Sequence, residues 1–326
     1  MNNVIALWQS AVTFGTVILF GALGELITEK SGNLNLGTPG VMYLGGIASL
    51  VGAFFYESSA ANPNPVVGVL VALLCALIAS ALAGVLFCFL TTTLRANQNV
   101  TGLTLTILGS GIANFFGGSL NKLAGGVGQI SVAVTSSGFQ AVTPLSGLGV
   151  PGRMLFSYGF LTYVAIVLAI LVSLFLNRTR KGLNLRAVGE SPATADATGI
   201  NVTRYKYLAT IVGSAVTGLG GVFYTMNYIR GTWANDGTIE GLGWLALALV
   251  IFASWKSLNL IWGSYLFGIL YWLYLYIGGL TRSSQELFKM LPYVATIVVL
   301  IITSVRSKKE NKGPAALGLS YFREER

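Results

Sequence analysis

The residue types that usually carry catalysis or bind metals are scarce in this chain. It contains no His and two Cys, Cys75 and Cys88. On one helix these two thiols would lie about 20 Å apart, which is too far for a disulfide. Because imidazole is absent and both thiols sit in an apolar stretch, the usual groups for metal ligation and for acid–base or thiol catalysis are missing. We therefore expect no catalytic residue, no metal site and no enzyme activity in this chain.

One match to the G-x-G-x-x-G phosphate-binding pattern occurs at residues 147–152. It contains Pro151 and follows no strand-like segment, so it lacks the context that gives the pattern its meaning. No Walker A pattern is present in the sequence. We interpret the match as chance and expect no cofactor in the chain itself.

The remaining polar residues must be positioned by helices that cross a membrane. Of the 326 residues, 54% are hydrophobic and 10% are charged, whereas a soluble domain carries about 25% charged residues. Crossing ~30 Å of hydrocarbon takes about 20 helical residues. Nine charge-poor segments approach or exceed that length: 4–27, 38–55, 66–94, 100–116, 155–176, 207–229, 239–255, 258–277 and 287–305. The sequence therefore predicts an all-α polytopic membrane protein with about 9–10 transmembrane helices, solvated by lipid.

The distribution of basic residues predicts the orientation of the bundle. If the connections alternate between two sides, fifteen of the 20 Lys and Arg fall on one side and five on the other. The side with more Lys and Arg is typically the cytoplasmic face of a membrane protein. With that side inside, the N-terminus lies outside. The net charge of +9 is thus explained by topology, and no nucleic-acid partner is expected.

Glycine is abundant in the predicted spans, with 41 residues in the whole chain. Small residues let helix backbones approach closely in lipid, where little hydrophobic force drives association. We expect many of these glycines to serve helix packing, with hinges or broken helices along a pathway as the alternative.

The segment 178–206 is rich in charge and encodes a short helix outside the bilayer. Ser191 is a good N-cap, Pro192 suits the first helical position, and Gly199 suits the left-handed residue that ends a helix. A helix of about two turns is marginal alone in water, so it must pack against something. The sequence leaves open whether this helix packs against its own bundle or against a partner protein.

The segment 29–40 joins the first two spans and predicts a helix break. Asn33 and Asn35 lie in it, and their amides must be satisfied by protein or by water. They either line a polar pathway or form a tight cytoplasmic turn. Further pathway candidates are uncharged polar residues in or near the spans: Asn97, Asn99, Thr101, Asn114 and Asn227. Because charges are nearly absent from the spans, with Glu25 the exception, a neutral substrate is favoured over an ion or zwitterion.

Three stretches of the sequence resemble motifs of a known family, and they occur in the same order as in that family. They are GELITEKSGNLNLGTPGVMYLGG at residues 24–46, GLNLRAVGESPATADATGINVTRYK at 182–206 and GLGWLALALVIFASW at 241–255. They resemble permease subunits of ABC importers of the branched-chain amino acid, simple sugar and nucleoside group. The first stretch is most similar to nucleoside importers that use a binding protein of the basic-membrane-lipoprotein type.

The resemblance implies a fold and a set of partners. The fold is the type II ABC importer permease, as in vitamin importers, with a single transmembrane permease domain at 1–305, a cytoplasmic coupling loop at 178–206 and a cytoplasmic tail at 306–326. The partners are a second permease, as a paralogue in a heterodimer, two ATP-binding cassette ATPases that bind ATP and Mg, and an external lipoprotein. The location implied is the bacterial cytoplasmic membrane.

The resemblance also implies which residues couple transport to ATP hydrolysis. They are Arg186, Gly189, Glu190, Ser191, Pro192, Asp196, Gly199 and Ile200. The function implied is nucleoside import by alternating access. Import of simple sugars or branched-chain amino acids is the alternative within the group, and a secondary transporter or a membrane-embedded enzyme would belong to other classes.

Overall fold

The computed structural model describes residues 2–123, 130–142, 144–147, 149–234, 236–277, 279, 281–306 and 312–322. Within these ranges the chain is helical and forms no strand, apart from one isolated bridge between Ser131 and Thr232. The α-helices are α1 Asn2–Glu29, α2 Thr38–Ser59, α3 Pro65–Cys88, α4 Gln98–Leu123, α5 Ala133–Gln140, α6 Gly149–Leu155, α7 Phe160–Arg178, α8 Arg180–Glu190, α9 Pro192–Ala197, α10 Val202–Phe223, α11 Thr238–Phe252, α12 Ser257–Trp272, α13 Arg282–Lys289 and α14 Leu291–Arg306. Single π-helical turns extend α3 over Phe89–Thr93 and α10 over Tyr224–Tyr228.

Eight described helices are long and apolar enough to cross a membrane. Together with α11, which is apolar but has 15 residues, they correspond one by one to the nine predicted segments. The prediction of an all-α polytopic membrane protein is thus confirmed.

The connections between these helices gather at two ends of the bundle. At one end the Leu34 N–H donates to Gln98 Oε1 at 2.7 Å, and the Trp255 indole donates to the Glu29 carboxylate. At the other end Trp8 Nε1 donates to the Met154 carbonyl oxygen at 2.9 Å. The first end also holds α8 and α9 with most of the Lys and Arg, so we name it the cytoplasmic end and the other the outer end.

Helix α1 lies at the centre of the bundle, where α7, α10, α11 and α12 surround it. Its contacts with α10 depend on glycine: a Cβ at Gly24 would collide with the Gly213 carbonyl oxygen. The same holds between α2 and α10, where a Cβ at Gly45 would lie 2.5 Å from the Gly218 carbonyl oxygen. A Cβ at Gly221 would collide with the Met42 carbonyl oxygen. Glycine therefore serves close backbone packing between these helices, as expected.

Candidate functional site

Helix α9 has the caps that its sequence predicts. The Ser191 side chain accepts from the Thr194 N–H at 3.4 Å, and Pro192 is the first helical residue. Gly199 has φ +86°, its N–H donates to the Asp196 carbonyl at 3.0 Å, and the Ile200 N–H donates to the Ala195 carbonyl at 3.0 Å. This pair of bonds is the Schellman arrangement that a left-handed glycine allows.

One face of α9 rests on its own chain and the opposite face is open. Ala195 is buried in a small apolar cluster with Val188 and Val202, to which Tyr205 and Tyr321 add their rings. The exposed residues of the helix and its C-terminal turn are Ala193, Thr194, Ala197, Thr198 and Gly199. The bundle thus supports α9 while a strip of small residues faces outward.

The described part of the C-terminal tail, residues 312–322, packs along α8 and α9. The Ala316 N–H donates to the Gly189 carbonyl at 3.0 Å, and the Gly318 N–H donates to the Gly32 carbonyl at 3.0 Å. Tyr321 Oη donates to Asp196 Oδ2 at 2.8 Å. The tail therefore ties the predicted coupling loop to the helix break that follows α1.

The end of α8 contacts the same break directly. Gly189 is buried, and a Cβ there would collide with the Lys30 carbonyl oxygen. Burial lowers the pKa of the Lys30 ammonium, and the neighbouring Glu190 carboxylate acts against this shift. Lys30, Arg186 and Glu190 line one cavity of about 520 Å³. The predicted coupling residues from Arg186 to Ile200 thus lie together at the end of α1, with Gly189 buried against it and Glu190 exposed.

Buried hydrogen bonds hold the helix break in shape. The Glu25 carboxylate accepts from the Asn35 N–H at 3.1 Å and from Thr38 Oγ1 at 2.8 Å. Asn33 Nδ2 donates to Thr210 Oγ1 at 3.1 Å, and Asn35 Oδ1 accepts from the Gly37 N–H at 2.9 Å. Asn33 and Asn35 are therefore buried at the cytoplasmic end, where their amides support the turn.

The structure does not gather the other pathway candidates into one cavity. Asn97 Oδ1 accepts from the N–H groups of Asn99 and Val100 at 3.0 and 3.1 Å, which is a cap at the start of α4. Asn99 is exposed, and Thr101 Oγ1 donates to the Asn97 carbonyl at 2.8 Å. Asn114 is half-buried in the middle of α4. Asn227 lies at the outer end, far from the helix break.

Asn227 lines a cavity of about 410 Å³, which we name the outer cavity. Its wall comes from α1, the end of α5, the segment before α7, the start of α7, the end of α10 with the π-helical turn that follows it, and α12. The lining side chains are amides, hydroxyls and aromatic rings, namely Gln9, Ser10, Thr13, Gln140, Ser157, Tyr158, Thr162, Phe223, Asn227, Tyr228 and Trp272, with Gly159, Val142 and Arg230 completing the wall. Apart from Asn227, sequence reasoning missed these residues, because no local pattern joins residues from so many elements.

A bundle of apolar helices with a capped cytoplasmic helix is the architecture of a polytopic membrane permease. The chain belongs to the family described as branched-chain amino acid transport system / permease component, whose model matches residues 8–300. It is accordingly a multi-pass protein of the cytoplasmic membrane.

Three relatives match nearly the whole chain. A putative glucose ABC transporter permease protein of Haloferax volcanii is 33% identical, over 99% of both chains. The nucleoside ABC transporter permease protein NupC of Lactococcus lactis is 30% identical, over 99% of this chain and 98% of its own. The guanosine ABC transporter permease protein NupQ of Bacillus subtilis is 29% identical, over 97% of this chain and 96% of its own. No solved structure matches the chain.

Proposed function

We propose that this chain is the permease subunit of an ATP-driven importer that moves nucleosides across the cytoplasmic membrane by alternating access. Full-length similarity to two permeases named for nucleosides or guanosine supports the substrate class. The near absence of charge from the spans fits a neutral substrate, because a charged one would need a counter-charge or a helix terminus at membrane depth.

The observation that carries the proposal is the open face of α9. Ala193 and Ala197 lie one helical turn apart and are exposed, so the helix presents a narrow, smooth strip to a partner. An ATPase subunit with a complementary groove is the partner that this position at the cytoplasmic end fits. ATP and Mg bind in the ATPase subunits, which hydrolyse the nucleotide.

The contacts of α9 supply a route by which ATPase motion reaches the membrane helices. The end of α8 packs on the Lys30 carbonyl, and the tail joins Gly189 to Gly32 through two backbone hydrogen bonds. A displacement of α9 therefore acts on the break between α1 and α2. The complete importer would include a second, paralogous permease, two ATPases and an external lipoprotein that delivers the substrate.

Import of a sugar is the second candidate, because the relative with the highest identity quoted above is named for glucose. The two candidates share the fold, the coupling helix and the partners. They differ in which loaded binding protein stimulates the complex.

The test is substrate-stimulated ATP hydrolysis by the reconstituted complex with its binding protein. Uridine, adenosine, ribose, glucose and leucine are added in separate reactions. Stimulation by the nucleosides alone would support the proposal, and stimulation by glucose or ribose alone would replace it with sugar import. If no ATPase assembles with the chain, the importer itself is excluded.

The role of α9 is tested separately in the same complex. Ala193→Arg places a long charged side chain on the open face and should abolish assembly with the ATPase. Leu183→Arg on α8 is the control, because Leu183 is 58% exposed and lies outside α9. Normal assembly and stimulation in the Ala193→Arg variant would contradict the assignment of α9.

A further inference from the structure

The outer cavity is lined by polar groups that the described part of the chain does not satisfy. Thr162 Oγ1, Asn227 Oδ1 and Trp272 Nε1 are buried and have no hydrogen-bond partner there, and all three side chains line this cavity. Thr162 is 2% exposed and is the third residue of α7, where no turn of the same helix precedes it to accept from its hydroxyl. Because buried polar groups are almost always paired, three of them around one cavity mark it as a candidate binding site for a polar molecule.

The chemistry of these groups is defined by their neighbours. Asn227 Nδ2 donates to the Phe139 carbonyl at 3.0 Å, which fixes the amide so that Oδ1 is the free acceptor. Trp272 Nε1 is a donor only, and the Thr162 hydroxyl both donates and accepts. A ligand that satisfies this set must carry both an N–H or O–H donor and an acceptor.

Aromatic rings form much of the remaining wall. Tyr228 is stacked on Tyr224 with centroids 5.4 Å apart, and Trp272 meets Phe14 edge to face at 6.1 Å. These contacts hold the Tyr228 and Trp272 rings in place. Fixed aromatic rings favour a planar heteroaromatic ligand, because every nucleobase has a π-face that stacks on them.

The size and polarity of the cavity fit the same ligand class. Its volume of about 410 Å³ lies within the range of roughly 300–1,000 Å³ that small-molecule sites occupy. Gln9 and Gln140, whose Nε2 groups donate to protein oxygens, keep their Oε1 atoms as acceptors, and with the Ser157 hydroxyl these suit the hydroxyls of a sugar attached to a base.

We infer that the outer cavity is a nucleoside-binding site contained within a single permease subunit. The base lies among Tyr228, Phe223 and Trp272 and bonds to Asn227 and Thr162, and the ribose faces the amides. This site rests on the proposed function, and it is the first place that a nucleoside occupies on entering from the outer end.

Binding to the purified full-length permease in lipid nanodiscs, without ATPase or lipoprotein, tests the site directly. Calorimetric titration with uridine, adenosine and glucose should show nucleoside binding by the unaltered chain. Thr162→Val removes one unpaired group and keeps the shape nearly unchanged, and Trp272→Phe removes the unpaired N–H while it keeps a smaller aromatic ring. Each should weaken nucleoside binding about tenfold, equivalent to about 1.4 kcal/mol.

The matched control is Thr91→Val, at the cytoplasmic end. Thr91 is also 2% exposed, but its hydroxyl donates to the Phe87 carbonyl within its own helix. Nucleoside affinity should be unchanged in this variant. An equal loss in all three variants would show a general effect on folding and overturn the assignment.

The outcomes separate this inference from the proposed function. If nucleosides stimulate the complete complex but the permease alone binds none, or binds them equally well in the Thr162→Val and Trp272→Phe variants, the site is refuted and nucleoside import stands. If glucose binds the cavity in place of nucleosides and also stimulates the complex, both are refuted.

Discussion

Tyr321 and Asp196 are 125 residues apart in the sequence, and their side chains form a hydrogen bond of 2.8 Å in which the phenol donates to the carboxylate. This bond fastens the tail to α9. Ala316 and Gly318 extend the attachment to Gly189 and Gly32 through backbone bonds. The surface proposed to receive the ATPase is therefore built from two segments that are distant in the chain.

Replacing Tyr321 with Phe should loosen α9 by about 1 kcal/mol, the usual net value of one hydrogen bond at a partly exposed site. We expect fewer nucleosides transported per ATP hydrolysed in the reconstituted complex, with the amount of permease in the membrane unchanged. Tyr207→Phe is the control, because it likewise removes one phenol hydrogen bond, but one formed with Thr93 after α3. An unchanged transport ratio in Tyr321→Phe would show that the bond is dispensable for coupling.

Replacing Gly199 with Val should uncouple ATP hydrolysis from transport. The residue has φ +86° and no atom lies within 4 Å of an added Cβ, so the effect comes from backbone strain alone. A left-handed conformation costs a non-glycine residue roughly 1–2 kcal/mol, which is enough to disturb the last turn of so short a helix. Gly241→Val adds the same side chain to open space at the start of α11 and should leave coupling intact.

Replacing Glu25 with Ala should destabilise the helix break strongly. The carboxylate accepts from the Asn35 N–H and the Thr38 hydroxyl; Ala leaves the Asn35 N–H unpaired and the Thr38 hydroxyl with the Asn35 carbonyl as its acceptor, beside a new cavity. We expect a loss of about 3 kcal/mol, measured as a lower thermal unfolding temperature of the detergent-solubilised chain. Glu25→Gln keeps an acceptor and the volume and should lose much less. Equal losses in both variants would show that the negative charge, and not the hydrogen bonds, matters.

Replacing Gly221 with Ala should separate α2 from α10. The added methyl would collide with the Met42 carbonyl oxygen, and backbone cannot give way as a flexible side chain can. Overpacking of this kind costs about 3 kcal/mol, so the unfolding temperature should fall. Gly111→Ala makes the same change where nothing lies within 4 Å and should leave stability unchanged or slightly raised.

The features that the sequence predicts well are those set by local physics. A membrane span needs a long apolar run, so the nine segments were identifiable without any knowledge of their packing. The caps of α9 were also predictable, because Ser191 and Gly199 act on residues three to five positions away. The apolar run of a span and the cap residues of a helix can each be recognised from residues that are close together in the sequence.

The features that the sequence does not reveal depend on contacts between distant residues. The segment 306–326 reads only as a cytoplasmic tail, because nothing local shows that Tyr321 meets Asp196. Asparagines near the spans look alike in sequence, yet Asn97 caps a helix, Asn33 supports a buried turn and Asn227 lines the outer cavity. Thr162 reads as an ordinary threonine in an apolar run, and only the assembled bundle shows that its hydroxyl is unpaired.

The glycine contacts of the central helices determine which parts of the permease can move. Gly24 against Gly213, and Gly45 against Gly218, bring backbones together with no side chain between them that could change rotamer. Packed surfaces of this kind cannot slide without collision. Helices α1, α2 and α10 therefore travel as one rigid body, and spin labels on any two of them should keep a constant separation throughout the transport cycle. A displacement of α9 would then move these three helices together, relative to peripheral helices such as α13 and α14, which bury least of their surface within this chain.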